Sequence, residues 1–230
     1  MDLAFRFRAG RLSPGDARSG DPQVNALQPL LVATRNLGKL EELRQMLSHL
    51  PFDLCGLERF PGVEGIPETG ASFIENASLK AAGYATQTRV LTLADDSGLE
   101  VDALGGGPGV FSARYAGEHA SDVERTTKLL AELSNVPSSK RGARFVSAVA
   151  IASGEGQILN VSVGTCEGHM ALAPRGSTGF GYDPIFIPIG YEQTFAELKP
   201  QIKNRISHRA RALVGAREFL RSLTIASSGR

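Results

Sequence analysis

Short apolar runs alternate along the chain with segments whose apolar residues recur every three or four positions, and this pattern predicts an α/β protein. Strand-like runs lie at residues 30–34, 52–57, 90–94, 145–153, 157–167 and 185–187. The last two long runs flank a Gly-Glu-Gly turn, which predicts an antiparallel hairpin. Helices are predicted to follow residue 36, Ser72, Ser121 and Ser207, and to end near residues 50, 88, 133 and 223. The first helix is expected to bury Leu37, Leu40, Leu43, Leu47 and Leu50.

A length of 230 residues is enough for one sizeable domain, or for two lobes that share a sheet. We expect the globular part over residues 29–225, either as one domain or as two lobes. Residues 1–28 differ from the rest, because they carry arginines among Gly, Ser, Pro and Asp and lack a sustained apolar pattern. We expect them to form a disordered N-terminal extension.

Composition and charge exclude several classes of protein. Hydrophobic residues make up 42% and charged residues 21%, as in ordinary globular proteins. No apolar run approaches the ~18 residues that a membrane span needs. The net charge of +1 gives no general attraction to nucleic acid or membranes. Cys55 and Cys166 are isolated, which fits buried thiols in a reducing cytoplasm. We therefore expect a cytoplasmic protein with no nucleic-acid or membrane partner.

The densest group of candidate catalytic residues is Asp95-Asp96-Ser97-Gly98, directly after the apolar run at 90–94. Open α/β sheets bind ligands at the carboxyl ends of their strands, where this pair is predicted to lie. Successive residues in an extended chain point to opposite faces. We therefore expect different roles for Asp95 and Asp96, one reaching into a cleft and one bracing the loop. Carboxylates suit Mg2+, which takes one or two of them with substrate phosphates. An ordinary polar turn is the alternative.

A second candidate site is the loop Thr34-Arg35-Asn36-Leu37-Gly38-Lys39, between the first strand and the first helix. A helix that starts directly after a strand and a loop directs backbone N–H groups at an anion. Asn36 and Lys39 add side-chain donors, and lysine is a compact charge suited to a phosphate. The alternative is that Asn36 only caps the helix and Lys39 is solvated.

Two charged residues between these sites are candidates as well. Glu68 lies in a Gly/Pro-rich loop without a capping role, so it is a candidate metal ligand. Glu75 follows Ser72 by three residues and is explained by a capping box. Lys80 lies two turns into that helix, where a solvated surface lysine is the alternative to a catalytic one.

The C-terminal part carries a glycine-rich loop at 176–184 and a basic helix start. Phe180 in that loop either stacks on a base or anchors the loop as a core aromatic. Ser207 is a natural helix cap, and His208 and Arg209 lie in the first turn. Positive charge there opposes the helix dipole, which indicates that these two residues serve a ligand.

Five segments in one order resemble the inosine/xanthosine triphosphate pyrophosphatase family, enzymes that remove non-standard purine nucleotides. They are Ala-Thr-Arg-Asn-Leu-Gly-Lys (33–39), Phe-Ile-Glu-Asn-Ala (73–77), Ala-Asp-Asp-Ser-Gly-Leu (94–99), Gly-Phe-Gly-Tyr-Asp-Pro (179–184) and Lys-x-x-Ile-Ser-His-Arg (203–209). The resemblance covers about residues 30–223, and five motifs in order are far more specific than one. Arg35 stands where many relatives carry glycine or another small residue.

The resemblance implies a two-lobed α/β fold on a long mixed β-sheet with flanking helices, an active site in the inter-lobe cleft, and a homodimer. It implies Mg2+-dependent hydrolysis of ITP, dITP and XTP to the monophosphate and pyrophosphate. Glu68 and Asp96 would hold the metal and Asp96 would accept the proton, with Asp95 and Lys80 as further candidate catalytic residues. The residues that would bind the purine nucleoside triphosphate are Thr34, Arg35, Asn36, Leu37, Gly38, Lys39, Ser97, Phe180, Gly181, Tyr182, Asp183, Lys203, His208 and Arg209.

The chemistry of these residues agrees with that activity. Phosphoryl chemistry needs positive charge and in-line positioning more than covalent groups. Mg2+ with Lys39 and Lys203 would supply charge, and a carboxylate would orient and deprotonate water. Because a bound metal lowers a carboxylate's basicity, the sequence leaves open whether Asp95 or Asp96 contacts the attacking water.

Two other functions compete with this one. A septum-inhibitor-type nucleotide pyrophosphatase acts on modified nucleotides, but such proteins begin with a Ser-rich loop bearing Pro-Arg-Arg. A nucleotide-binding regulator without turnover is disfavoured by the presence of Glu68, Lys80, Asp95 and Asp96, because a pure binder needs acidic groups near phosphates only to hold a metal.

Overall fold

The computed structural model describes residues 27–228, with side chains described to residue 225. The strands are β1 (Gln28–Val32), β2 (Phe52–Gly56), β3 (Leu91–Val101), β4 (Gly142–Ala152), β5 (Ile158–Met170) and β6 (Phe186–Pro188). The helices are α1 (Leu37–Leu47), α2 (Phe73–Thr88), α3 (Asp122–Glu132), α4 (Pro200–Ile206) and α5 (His208–Ser228). The extension predicted for residues 1–28 lies outside the described residues except for its last two.

The strands form one mixed sheet in the order β2-β1-β3-β4-β5-β6. β1 is parallel to both β2 and β3, as expected for strands joined through α1 and α2. The remaining neighbours pair antiparallel, and β4 and β5 form the predicted hairpin. None of the helices in the described part of the chain is long and apolar enough to cross a membrane. The α/β fold with a mixed sheet is therefore confirmed.

Three hydrophobic clusters divide the molecule into two lobes. In the first lobe, α1 and α5 cover one face of the sheet, and α2 covers the other. The second lobe is built on the far ends of β3, β4 and β5, together with β6 and α3. Polar residues Asp95, Asp96, Ser97 and Ser147 lie on β3 and β4 between these clusters. The middle of the two strands thus forms the floor of an inter-lobe cleft.

The course of β3 corrects the sequence analysis. The strand was expected over 90–94, with the aspartates beyond its end, but it runs from Leu91 to Val101. Residues 92–101 pair with residues 143–152 of β4, so Asp95 and Asp96 lie within a strand rather than in a turn. The antiparallel ladder satisfies the backbone here, and successive side chains alternate between the two faces of the sheet. This pairing involves a strand about 50 residues away and leaves no local pattern.

The helix starts largely follow the prediction. Ser121 and Glu124 form a complete capping box at α3. At α2, Ser72 Oγ accepts from the N–H of Glu75, but the Glu75 carboxylate accepts from the N–H of Ala71 instead of Ser72. The prediction that Leu37 is buried is wrong, because this residue is 79% exposed. The short helix α4 was not predicted.

Candidate active site

Asp95 and Asp96 point to opposite faces of β3, which confirms the predicted alternation. Asp95 faces α1 and α5, where it meets Lys39 and Arg209. Asp96 faces α2, where it meets Lys80. The different environments of the two carboxylates therefore follow from the pleat of one strand, and neither carboxylate braces a loop as expected.

On the α2 face, Lys80 joins two carboxylates. Its Nζ lies 2.8 Å from Asp96 Oδ1 and 2.7 Å from Glu68 Oε1. Arg114 Nη1 approaches the second oxygen of Glu68 at 3.8 Å. Lys80 is a buried residue of α2, so the surface-lysine alternative is wrong. This cluster brings the predicted residues Glu68, Lys80 and Asp96 together beside β3.

The pKa values of the two acids in this cluster shift in opposite directions. Burial raises the pKa of Asp96 by more than Lys80 and Lys39 lower it. Burial also raises the pKa of Glu68, but Lys80, Lys39 and Arg114 together outweigh burial and the net pKa is lowered. Burial lowers the pKa of Lys80, yet Asp96 and Glu68 overcome this effect, so the lysine stays charged. Of the two acids, Asp96 is the better proton acceptor, because a raised pKa lies closer to working pH.

The donor set of this cluster fits Mg2+. Glu68 and Asp96 are hard oxygen donors whose carboxylates converge on one cation, Lys80. Mg2+ is usually held by one or two carboxylates and completes its shell with water and substrate phosphates. Across residues 27–228, no three His, Cys, Asp or Glu side chains are arranged to hold a metal ion. A metal here would therefore complete its shell with water or substrate oxygens.

On the other face, Asp95 is a buried anchor for two cations. Its carboxylate accepts from Ser147 Oγ at 2.5 Å and from Ser97 Oγ at 2.9 Å. Lys39 Nζ lies 2.9 Å away and Arg209 Nη2 lies 3.5 Å away. Burial raises the pKa of Asp95, but Lys39 and Arg209 hold the net pKa well below its usual value. Asp95 is thus a permanent anion that positions Lys39 and Arg209.

Glu42, which was not predicted from the sequence, is a second acid in this network. Its Oε1 lies 2.8 Å from Lys203 Nζ, and its Oε2 accepts from Arg209 Nη1. Burial raises the pKa of Glu42, but Arg209 and Lys203 outweigh it and the net pKa is lowered. Lys203 also pairs with Asp183. The partners of Glu42 follow it by more than 150 residues, so no local pattern points to this role.

His208 and Arg209 form one side of a cavity. The His208 ring stacks on Phe145 with centroids 4.6 Å apart. Burial and the neighbouring Arg209 hold the pKa of His208 well below its usual value, so the imidazole is neutral. The expected conflict between His208 charge and the helix dipole therefore does not arise. Ser207 caps α5 by accepting from the N–H of Ala210, as predicted.

The glycine-rich loop supplies the opposite side of this cavity. Asp183 Oδ2 accepts from the N–H of Phe180 at 2.9 Å, and Tyr182 Oη donates to the carbonyl of Ser112 at 2.9 Å. The N–H of Gly181 donates to Asp122 at 2.6 Å. Asp122 and Ser112 were not predicted, because they act on a loop about 60 to 70 residues away. The residues that line the cavity include Asn36, Lys39, Ser97, Phe180, Gly181, Tyr182, Asp183, Lys203, His208 and Arg209.

The first loop divides into residues that line the cavity and residues that do not. Asn36 Oδ1 accepts from the N–H of Lys39 and caps α1, and both side chains line the cavity. Thr34 Oγ1 accepts from the N–H of Asn36 and shapes the loop. Arg35 instead donates to the carbonyl of Val63, and Leu37 is exposed; neither side chain lines the cavity.

The comparisons with known proteins agree with this geometry. The family model of the Ham1 family matches residues 30–219. A dITP/XTP pyrophosphatase of Bacillus cereus is 46% identical over 191 residues, covering 83% of this chain and 93% of the relative. Another of Desulforamulus reducens is 47% identical over 196 residues, covering 85% and 97%. The structure of a HAM1 protein from Coxiella burnetii superposes with a TM-score of 0.76 at 42% identity, covering 86% of this chain and 99% of that one. The chain therefore belongs to the Ham1 family.

Proposed function

We propose that this protein hydrolyses the non-canonical purine nucleoside triphosphates dITP, XTP and ITP to the monophosphate and pyrophosphate, with Mg2+. One observation carries the proposal: the carboxylate–lysine–carboxylate cluster and the cations of the cleft meet around β3, where the charge of Lys39 acts on Asp95, on Asp96 and on Glu68. Relatives named dITP/XTP pyrophosphatase support the proposal, because their match to this chain covers 93% and 97% of their length.

Asp96 is the residue we assign to proton acceptance from the attacking water. Its pKa is raised by burial, and its Oδ1 is held by Lys80, which fixes the orientation of the carboxylate. Glu68 and Asp96 would hold Mg2+, which neutralises phosphate charge and polarises the phosphorus–oxygen bonds. Lys39 pairs with Asp95 and lines the cavity. Its ammonium group would bind the phosphate oxygens of the triphosphate as well as Asp95.

The base would lie between Phe180 and the start of α5. Hypoxanthine and xanthine carry a carbonyl at the 6-position, whereas adenine carries an amino group. His208 Nδ1 and Arg209 Nε are buried and make no hydrogen bond within the part of the chain that the structure describes. Donors at this turn would satisfy the carbonyl, and adenine would leave them unpaired, which can reject the wrong base by ~10^4. Guanine also carries the 6-carbonyl, so GTP must be excluded by another contact.

The test is a nucleotide panel with controlled Mg2+. Pyrophosphate release from dITP, XTP and ITP is measured against dATP and dGTP, with and without EDTA. Preference for the first three, lost with EDTA and restored by added Mg2+, supports the proposal. Equal hydrolysis of dATP and dITP would contradict the specificity, and no turnover of any nucleotide would favour a binding regulator. Size-exclusion chromatography with light scattering tests the homodimer that we also propose.

A further inference from the structure

Gly38, the second residue of α1, packs against the ring of Phe180. A Cβ atom built on Gly38 would lie 2.5 Å from Phe180 Cδ1, 2.9 Å from Cε1 and 3.0 Å from Cγ. The three nearest atoms all belong to this ring. A side chain at position 38 would therefore force the ring to move, and only glycine permits the observed approach.

Backbone conformation does not explain the glycine. The described glycines with a positive φ do not include Gly38. It lies in the first turn of a regular α-helix, where alanine is the better helix former. The close approach of the Phe180 ring is thus the physical reason for glycine at this position.

The ring has little freedom to retreat with its backbone. The N–H of Phe180 is held by Asp183, and the N–H of the next residue is held by Asp122. A Cβ atom at position 38 would therefore turn the ring about its own side-chain bonds. The ring also lies 4.7 Å below Lys203 Nζ, measured to its centroid, so turning it disturbs a cation that lines the cleft.

Phe180 and Lys203 together separate two cavities. One cavity is lined by Ser97, His208 and Arg209. The other lies behind the ring and is lined by Glu41 of α1 and Asn204 of α4. Rotation of the ring would widen one of the two cavities and narrow the other. The position of Phe180 against α1 therefore sets the shape of the cavity in which we place the base.

We propose that Gly38 is a positioning residue that sets the base-pocket wall by letting the Phe180 ring lie against the first turn of α1. The proposal rests on the proposed function, since it assigns the wall to a purine pocket. It gives Gly38 a role other than the contact with the triphosphate that the first-loop motif implies.

The experiment is a double-mutant cycle with Gly38→Ala and Phe180→Ala, assayed with ITP and by thermal unfolding. Gly38→Ala alone should raise the KM for ITP about 10-fold and leave kcat within about twofold, because the ring, and not the reacting groups, is displaced. In the Phe180→Ala background the same change should leave KM within about twofold. Gly65→Ala is the matched control, since a Cβ atom there meets nothing nearer than 3.9 Å.

Thermal unfolding tests the packing contact without any substrate. Gly38→Ala should raise Tm by about 1–4 °C in the Phe180→Ala background, where helix propensity acts alone, and should fail to raise it when the ring is present. An equal effect on KM in both backgrounds would overturn the positioning role and favour a phosphate contact. An equal rise in Tm in both backgrounds would overturn the packing contact. If the parent protein does not hydrolyse ITP, the proposed function itself fails, while the Tm values still judge the contact.

Discussion

Glu42→Gln is the change whose consequences can be worked out most fully from the structure. Glutamine keeps the shape of the side chain and one acceptor oxygen but removes the charge that joins Lys203 and Arg209. Breaking a buried ion pair costs about 3–5 kcal/mol when it leaves a charge uncompensated. Here Arg209 keeps Asp95 and Lys203 keeps Asp183. We therefore expect the free energy of unfolding to fall by a smaller amount, about 1–3 kcal/mol.

The effect should depend on pH in a definite direction. The pKa of folded Glu42 lies below its ordinary value of 4.5. A carboxyl whose pKa is lowered by folding contributes stability above its unfolded pKa and loses it as pH falls through the folded pKa. The difference in stability between the parent and Glu42→Gln should therefore be fully present at pH 7 and should shrink below about pH 4.5.

Urea denaturation of both proteins at several pH values measures this difference. Glu41→Gln is the matched control, because Glu41 is an exposed neighbour on the same helix whose carboxylate accepts a hydrogen bond from Gln45 Nε2 at 2.6 Å. We expect Glu41→Gln to change stability by less than about 0.5 kcal/mol. A Glu42→Gln protein as stable as Glu41→Gln at pH 7, or a gap that stays constant into acid, would refute the view that Glu42 holds the two cations together.

Three further predictions concern catalysis. Asp96→Asn should keep the fold by circular dichroism but lower kcat at least ~100-fold in steady-state assays; activity within a few-fold of the parent would remove Asp96 from the chemistry. Lys39→Ala should weaken nucleotide binding by about 1.5–3 kcal/mol, or roughly 10- to 150-fold in KM, and an unchanged KM would mean that Lys39 serves only Asp95. Because burial raises the pKa of Asp96 in the metal-free protein, an NMR titration without Mg2+ should place this pKa above its ordinary value of 3.8, and a pKa at or below that value would contradict the assignment.

Local sequence patterns were enough to predict most of the secondary structure. Apolar spacing located α1 and α5, and the serine–glutamate pairs located the starts of α2 and α3. The alternation rule predicted that Asp95 and Asp96 would have different partners, and they do. Each of these features depends on residues close in sequence, where periodicity and capping chemistry act directly.

Features set by distant residues could not be predicted in the same way. The extension of β3 through the acidic stretch depends on its ladder with β4. The role of Glu42 depends on Lys203 and Arg209, and that of Asp122 on Gly181. The sequence left open whether Lys80 is a solvated surface lysine, because the pattern of one helix does not show that the Lys80 ammonium group reaches Asp96. Tertiary partners decided the charge and burial of each of these residues.

The identity of the products tests the central claim most directly. The protein is incubated with XTP and Mg2+, and the phosphorus-containing products are followed by 31P NMR, with Asp96→Asn as the inactive control. We predict that XTP is converted to xanthosine monophosphate and pyrophosphate in equal amounts by the parent protein alone. Formation of the diphosphate with orthophosphate, or no conversion of XTP by the parent protein, would contradict the account.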